Sequence, residues 1–161
     1  MAFTTEDFMG GIEKSFVFFK KHLKGLKEEQ WHWKPYPECK SIYETLSHLV
    51  TDYRAAVQSF STGEEPDYEG LSVTAATEAG GNLERQLEIL EASHAELCAF
   101  LRETYGDASP ETPAKMWGID SEVGLLIAYI SSEDFYHAGQ VAFIRMASDP
   151  TWDYYANVYG E

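Results

Sequence analysis

A glutamate and a histidine four residues apart interrupt the apolar face of the last long helix that the sequence predicts. Glu133 follows Ile130 by three residues, and His137 precedes Val141 by four, so both fall in a stripe expected to be buried. Residues four apart project side by side from a helix. A carboxylate buried alone takes up a proton rather than stay charged, whereas a divalent cation would satisfy the carboxylate and the imidazole together. The pair therefore indicates a metal site.

Two other interpretations of this stretch stay open at the level of sequence. Glu133 and His137 could bond to each other and merely fill a gap in the core. Asp134 could instead be the carboxylate that points inward, which would leave Glu133 in solvent.

A third ligand would have to come from another helix, and four more histidines are available. His48 lies off the apolar stripe of its helix, on a small and polar face that is either plain surface or the wall of a wet cavity. His94 lies on the apolar stripe of its helix and is predicted to be a core histidine with its hydrogen bonds satisfied. His22 and His32 are predicted to lie in solvent, at a helix end and in a loop.

Apolar residues at spacings of three and four predict four amphipathic helices. They run from about Thr5 to Leu26, from Ser41 to Thr62, from about Asn82 to Tyr105, and from Asp120 or Ser121 to about Ala147. Residues 63–80 and 106–119 are predicted to be loops, the first with room for a helical turn, and no pair of strands is predicted. The expected fold is all-α, a four-helix bundle with long connecting loops.

Composition limits the function classes. A length of 161 residues with 44% hydrophobic residues predicts one globular domain over residues 1–161. The net charge of −15 repels phosphate backbones and argues against nucleic-acid binding. The chain has no apolar run long enough to span a membrane and no basic, apolar leader, so it is expected to be soluble and cytoplasmic. Cys39 and Cys98 are expected to be reduced thiols without a role in metal binding.

Three segments resemble the DinB/YfiT-like superfamily. Residues 41–49, Ser-Ile-Tyr-Glu-Thr-Leu-Ser-His-Leu, are similar to its helix-two signature, which ends in a ligand histidine followed by leucine. Residues 133–140, Glu-Asp-Phe-Tyr-His-Ala-Gly-Gln, are similar to its second signature, His-x-x-x-His followed by x-Gly-Gln. The loop at residues 31–35 also resembles the family's loop before helix two. The resemblance covers nearly the whole chain in the family's order.

The resemblance implies a four-helix bundle in which helices two and four supply a three-histidine metal site. Carried over by position, the ligands are His48, Glu133 and His137, with a glutamate where the family usually has a histidine. Zinc or nickel is the expected metal, and because the carboxylate makes the site harder, nickel, iron and manganese suit it better than they would suit three histidines. Asp52 and Gln140 are the residues expected to contact the ligands without binding the metal.

Two further expectations concern the surroundings of the site. Gly139 matches the signature, and the close approach of a neighbouring helix would explain a glycine inside a helix. Several aromatic residues could wall a pocket, although such residues more often belong to an ordinary core: Trp33, Trp117, Tyr129 and Tyr136.

Three protein ligands leave coordination positions free, which is typical of a catalytic site. Some relatives use a low-molecular-weight thiol, so the resemblance implies metal-dependent transfer of such a thiol to an electrophilic small molecule. Metal-dependent hydrolysis would use the same residues. A non-catalytic metal-binding or stress-associated dimeric module is the alternative of another class. The resemblance also implies a homodimer, to which the aromatic tail at residues 152–159 would contribute.

Overall fold

The computed structural model describes residues 3–160, and helices dominate that part of the chain. In order, the elements are α1 (Thr5–Lys21), a 3₁₀ turn (Glu28–Gln30), α2 (Ile42–Thr62), α3 (Tyr68–Ala79), α4 (Leu83–Tyr105), β1 (Pro113–Met116), β2 (Ile119–Glu122), α5 (Val123–Ser148) and α6 (Tyr154–Val158). The predicted all-α class is confirmed, with four long helices as its frame. None of the helices within residues 3–160 is long and apolar enough to cross a bilayer.

The start of α2 is fixed by a reciprocal cap. The Glu44 N–H donates to Ser41 Oγ at 3.2 Å, and the Ser41 N–H donates to Glu44 Oε2 at 2.8 Å. Both donors lie in the part of a helix start that has no partner within the helix. At the other end Gly63 takes a φ of 75°, which a glycine adopts without a steric penalty. These boundaries fix the position of His48 along the axis of the bundle.

The four long helices pack in two pairs around one core. The main contacts of α1 are with α5, and those of α2 are with α4, while α2 also touches α5. The largest aliphatic side chains of the core are fully or almost fully buried: Ile12, Ile42, Leu46, Leu49, Leu90, Leu97, Leu101, Ile127 and Ile144. Each such side chain stabilises the fold by roughly 1.5–3 kcal/mol through burial. The contact between α2 and α5 brings the two signature segments together.

Two predicted loops contain regular structure. Residues 63–80 hold the twelve-residue helix α3, whose start is capped by the Asp67 carboxylate accepting from the Gly70 N–H at 3.0 Å. The prediction of a loop was wrong because α3 packs through the small side chains of Ala75 and Ala79, which leave no stripe of large apolar residues.

The prediction that no strands pair was also wrong. Strands β1 and β2 form an antiparallel hairpin, so α5 begins at Val123 rather than at Asp120 or Ser121. The strands have four residues each and are mostly exposed, so they show no alternation of apolar and polar residues. At the tip Trp117 and Gly118 have φ values of 54° and 69°. Two central residues with positive φ are the mark of a tight hairpin turn, and a tryptophan there costs about 1–2 kcal/mol relative to glycine.

The end of α1 differs from its prediction. The helix ends at Lys21 rather than near Leu26, and His22 is fully buried instead of solvated. The guanidinium of Arg145 donates to the carbonyls of His22 and Lys24 at 2.8 Å each. It also lies 4.2 Å from the centre of the Trp152 ring. A buried cation therefore holds the turn that follows the helix, through the carbonyl of the C-cap residue and that of Lys24.

The predicted positions of the two remaining histidines are confirmed. His32 is exposed, and His94 is a core residue whose ring stacks on Phe16 with centroids 3.8 Å apart. Cys39 and Cys98 both carry free thiols.

Candidate metal centre

Two histidines and an aspartate meet where α2 faces α5. His48 and Asp52 lie one turn apart on α2, and His137 lies on α5. One ligand atom from each of the three lies within 4.8 Å of the other two. The rings of His48 and His137 have centroids 5.0 Å apart and are nearly perpendicular. This arrangement aims two nitrogens and one oxygen at a common volume, the type of donor set that divalent transition metals take.

His137 is the most constrained member of this cluster. Its Nδ1 donates to Gln140 Oε1 at 2.7 Å, since a carbonyl oxygen can only accept. Its Nε2 is buried and has no hydrogen-bond partner among residues 3–160. An unpartnered buried nitrogen destabilises the fold by about 1–3 kcal/mol, so native sites rarely keep one without a reason. The Gln140 contact leaves the Nε2 lone pair free to bind a cation.

A tyrosine from α3 contacts both α2 residues of the cluster. Asp52 Oδ2 lies 3.2 Å from His48 Nε2, and the Tyr68 hydroxyl donates to Asp52 Oδ1. The same hydroxyl lies 2.9 Å from His48 Nδ1. Burial raises the pKa of Asp52 to about 6, against the opposing effects of the Tyr68 hydrogen bond and the His137 charge. Burial lowers the pKa of His48 and of His137, so both imidazoles are neutral at pH 7 and keep a lone pair for a metal.

The two neighbouring carboxylates of α5, those of Glu133 and Asp134, have different surroundings. Glu133 borders the cluster, with Oε2 3.7 Å from His137 Nε2 and the side chain 28% exposed. That separation is too long for a hydrogen bond, so a simple Glu–His bond does not explain the pair. Asp134 is fully buried on the other side and accepts from Ser15 Oγ at 2.6 Å and from the Tyr53 hydroxyl at 2.5 Å. Burial raises its pKa to about 6. Asp134 does point inward, but Glu133 is not left in solvent.

A cavity of about 250 Å³ opens beside the cluster, walled by α2, α3, α5 and the turn of the hairpin. It is lined by His48, Asp52, Tyr53, Tyr68, Trp117, Tyr129, Ile130 and Glu133. Two of the four predicted wall aromatics thus line it. Tyr136 projects outward instead, and Trp33 packs against the core. The cluster therefore has an adjoining space of the size of a small molecule.

The comparison with known proteins gives one result. A sequence profile of the DinB superfamily matches residues 18–141. This chain belongs to the DinB superfamily. The match includes all of α2 and both segments that carry the cluster, so the resemblance of the two signature segments is confirmed at the level of the family. No curated protein and no solved structure matches the chain.

Within this DinB-superfamily chain, sequence reasoning gave Asp52 a lesser part than its position indicates. It was expected only to contact the ligands, yet one of its carboxylate oxygens lies within 4.8 Å of a nitrogen of each imidazole. The spacing from His48 to Asp52 is four residues, the same as from Glu133 to His137, and that repeat was a usable signal. No spacing in the sequence indicated a role for Tyr68, because its segment was predicted to be a loop.

One DinB signature residue lacks the expected explanation. Gly139 lies on the exposed side of α5, and no described atom outside its own helix lies within 4 Å of the position that a Cβ would take. The predicted close approach of a neighbouring helix is therefore wrong within this chain.

Proposed function

We propose that this DinB-superfamily protein binds one divalent transition-metal ion at the cluster and uses it in a reaction on a small molecule. The observation that carries the proposal is the buried Nε2 of His137, which has no partner among residues 3–160, in a residue that offers a ligand atom within 4.8 Å of those of His48 and Asp52. A bound cation would remove the penalty of that orphaned nitrogen and balance a carboxylate that burial otherwise drives toward protonation.

The ligand set of the proposal is His48 and His137 with one carboxylate. Asp52 completes the compact cluster, and Glu133, the residue that the DinB signature aligns with a histidine, lies beside it as a competing or fourth ligand. Two imidazoles and a carboxylate suit zinc or nickel, and also iron or manganese. Tyr68 would orient His48 and Asp52 through its hydroxyl, and Gln140 would orient His137 through its side-chain carbonyl.

The reaction we favour is transfer of a low-molecular-weight thiol to an electrophile. Three protein ligands leave coordination positions free, and the cavity beside them has room for a small substrate. When bound, a divalent cation supplies Lewis acidity that keeps a thiol deprotonated near neutral pH. The thiol sulfur then bonds to the electrophilic carbon, the leaving group departs with its electron pair, and the thiol proton passes to solvent.

Elemental analysis of the purified protein tests the metal site. We expect about one transition metal per chain, lost in His137→Ala and His48→Ala and kept in the control His32→Ala, which changes an exposed histidine. Comparing Asp52→Asn with Glu133→Gln identifies the carboxylate ligand. A metal-free protein whose melting temperature does not change when zinc or nickel is added would refute the site.

Turnover tests the reaction. The metal-loaded protein is incubated with small thiols and a panel of alkylating electrophiles, and thioether formation is measured with His137→Ala as the blank. Loaded protein that hydrolyses esters or amides but forms no thioether would refute thiol transfer in favour of a hydrolase. Loaded protein inactive in both assays would indicate a non-catalytic metal-binding module.

A further inference from the structure

The walls of the cavity beside the cluster are aromatic and acidic. Trp117 and Tyr129 meet edge to face, with ring centroids 6.0 Å apart and an angle of 71° between their planes, so they form a corner of two aromatic surfaces. Tyr68 stands on a third side, and the carboxylates of Asp52 and Glu133 lie among them. Within residues 3–160 no lysine or arginine lines this space.

The tryptophan is held there against its backbone preference. Trp117 is the one residue other than glycine with a positive φ in the described part of the chain, at the second position of the Met116–Ile119 turn. Glycine or asparagine would suit this position better. Its backbone N–H donates to Ser59 Oγ on α2 at 2.6 Å, which fixes the turn over the cavity. Backbone strain of this kind is concentrated at functional sites, so the tryptophan side chain itself needs a role.

We propose that the cavity accepts an organic cation, so that the substrate of this site carries a positively charged ammonium group. Aromatic faces attract cations through the negative charge density above the ring, and Trp and Tyr do so more strongly than aliphatic walls of the same size. The carboxylates of Asp52 and Glu133 also attract a cation. An anionic group placed against these walls, away from a bound metal, would meet two carboxylates and no cationic side chain, which disfavours it there.

A bound metal does not reverse this preference. Two carboxylates, Asp52 and Glu133, balance the two positive charges of a divalent ion, so the loaded cavity has no net charge that would repel an ammonium group. The aromatic faces of Trp117, Tyr129 and Tyr68 then decide between a charged and an uncharged ligand. The net charge of −15 on the whole chain also raises the local concentration of cations around it. The inference rests on the proposed function in one respect: it identifies the bound cation as the substrate.

Calorimetric titration with choline and with its uncharged isostere, in which carbon replaces the nitrogen, tests the inference. Both ligands have the same shape, so the difference in affinity reports the charge alone. Each titration is run on the metal-loaded and on the chelator-treated protein. We expect choline to bind at least about tenfold more tightly than the isostere in both forms.

Three variants assign the effect to the aromatic corner. Trp117→Gly suits the turn and should fold, so we expect it to keep its melting transition and to bind choline about tenfold more weakly. Trp117→Tyr keeps an aromatic face and should retain most of the affinity. Tyr36→Ala removes an exposed aromatic side chain outside the cavity and should bind like the parent.

The outcomes separate the two proposals. Equal affinity for choline and the isostere, no detectable choline binding, or undiminished binding in Trp117→Gly would overturn the organic-cation inference, whatever the metal content. Choline selectivity in a protein that binds no metal would uphold the inference and refute the proposed metal function.

Discussion

The buried carboxylate of Asp134 makes a quantitative prediction about stability and pH. Two groups contact it, the Ser15 hydroxyl and the Tyr53 hydroxyl. Ser15 Oγ also lies 2.9 Å from the Ile12 carbonyl, so its single hydrogen can go there instead. In Asp134→Asn the amide N–H can donate to Ser15 Oγ while Ser15 donates to Ile12 and Tyr53 still donates to the amide oxygen. The variant keeps a partner for Ser15 and for Tyr53 and loses the charge, while the second amide N–H lacks a partner and offsets part of the gain.

The size of the effect follows from the pKa of Asp134. Burial raises it from the ordinary value of 3.8 to about 6, and at about 1.4 kcal/mol per pH unit this corresponds to about 3 kcal/mol. The folded chain holds this proton over a pH range in which the unfolded chain has released it. The parent therefore loses stability as pH rises from about 4 to 6, and Asp134→Asn does not. At pH 7 the variant should be more stable by up to about 3 kcal/mol, which is roughly 6–12 °C in melting temperature.

Chemical and thermal unfolding of the chelator-treated proteins, followed by circular dichroism from pH 4 to pH 8, measures this difference. The other titrating groups are common to both proteins and cancel in the comparison. Asp134→Ala is the matched control, because it removes the charge but leaves the Tyr53 hydroxyl without its acceptor and should be destabilised by about 1–3 kcal/mol. A stability difference between Asp134→Asn and the parent that does not grow from pH 4 to pH 7 would refute the reasoning.

Three more predictions concern other groups. Burial lowers the pKa of His94 from 6.5 to about 4, so the parent should lose stability as pH falls through that range. The variant His94→Phe can keep the stacking on Phe16 and should lose less stability over the same range. An equal loss in both proteins, measured by denaturant titration, would contradict this. Gln140→Leu should weaken metal affinity by about tenfold or more in chelator competition, because the ring of His137 loses its orienting partner; unchanged affinity would remove Gln140 from the site. The homodimer implied by the family resemblance predicts twice the mass of one chain in light scattering, and Phe143→Glu, on the exposed side of α5, should lower it; a parent that is monomeric at all concentrations would contradict the dimer.

How far the sequence predicted the fold depends on the size of the side chains that each element buries. The four long helices bury large apolar residues at helical spacing, and that period is visible without a structure. Helix α3 buries Ala75 and Ala79, and β1 and β2 bury little besides Met116, so neither left a period to detect. The turn at Trp117 was harder still to predict, because tryptophan is disfavoured at the first of the two central positions of such a turn.

Some residues of the site could likewise be predicted from the sequence, and others could not. Glu133 and His137 could be singled out because polar residues in an apolar stripe contradict the pattern around them. His48 could not, because a small, polar helix face looks the same whether it meets water or another helix. The family resemblance supplied it, and the contact between α2 and α5 accounts for it. The roles of Asp52 and Tyr68 depend on where α3 packs, which no local spacing records.

The hairpin supplies a wall of the cavity, whereas the long helices supply the residues of the metal cluster. Its strands are short and mostly exposed, and its tip is joined to α2 by the hydrogen bond that the Trp117 N–H donates to Ser59 Oγ. The hydrogen bond to α2 comes from the backbone of Trp117, whereas its side chain contacts Tyr129 of α5, so a substitution at position 117 changes one wall of the cavity and leaves the backbone bond in place. A library randomised at positions 117 and 118 would explore new ligands on a constant metal site, which makes this turn the natural entry point for redesigning what the protein accepts.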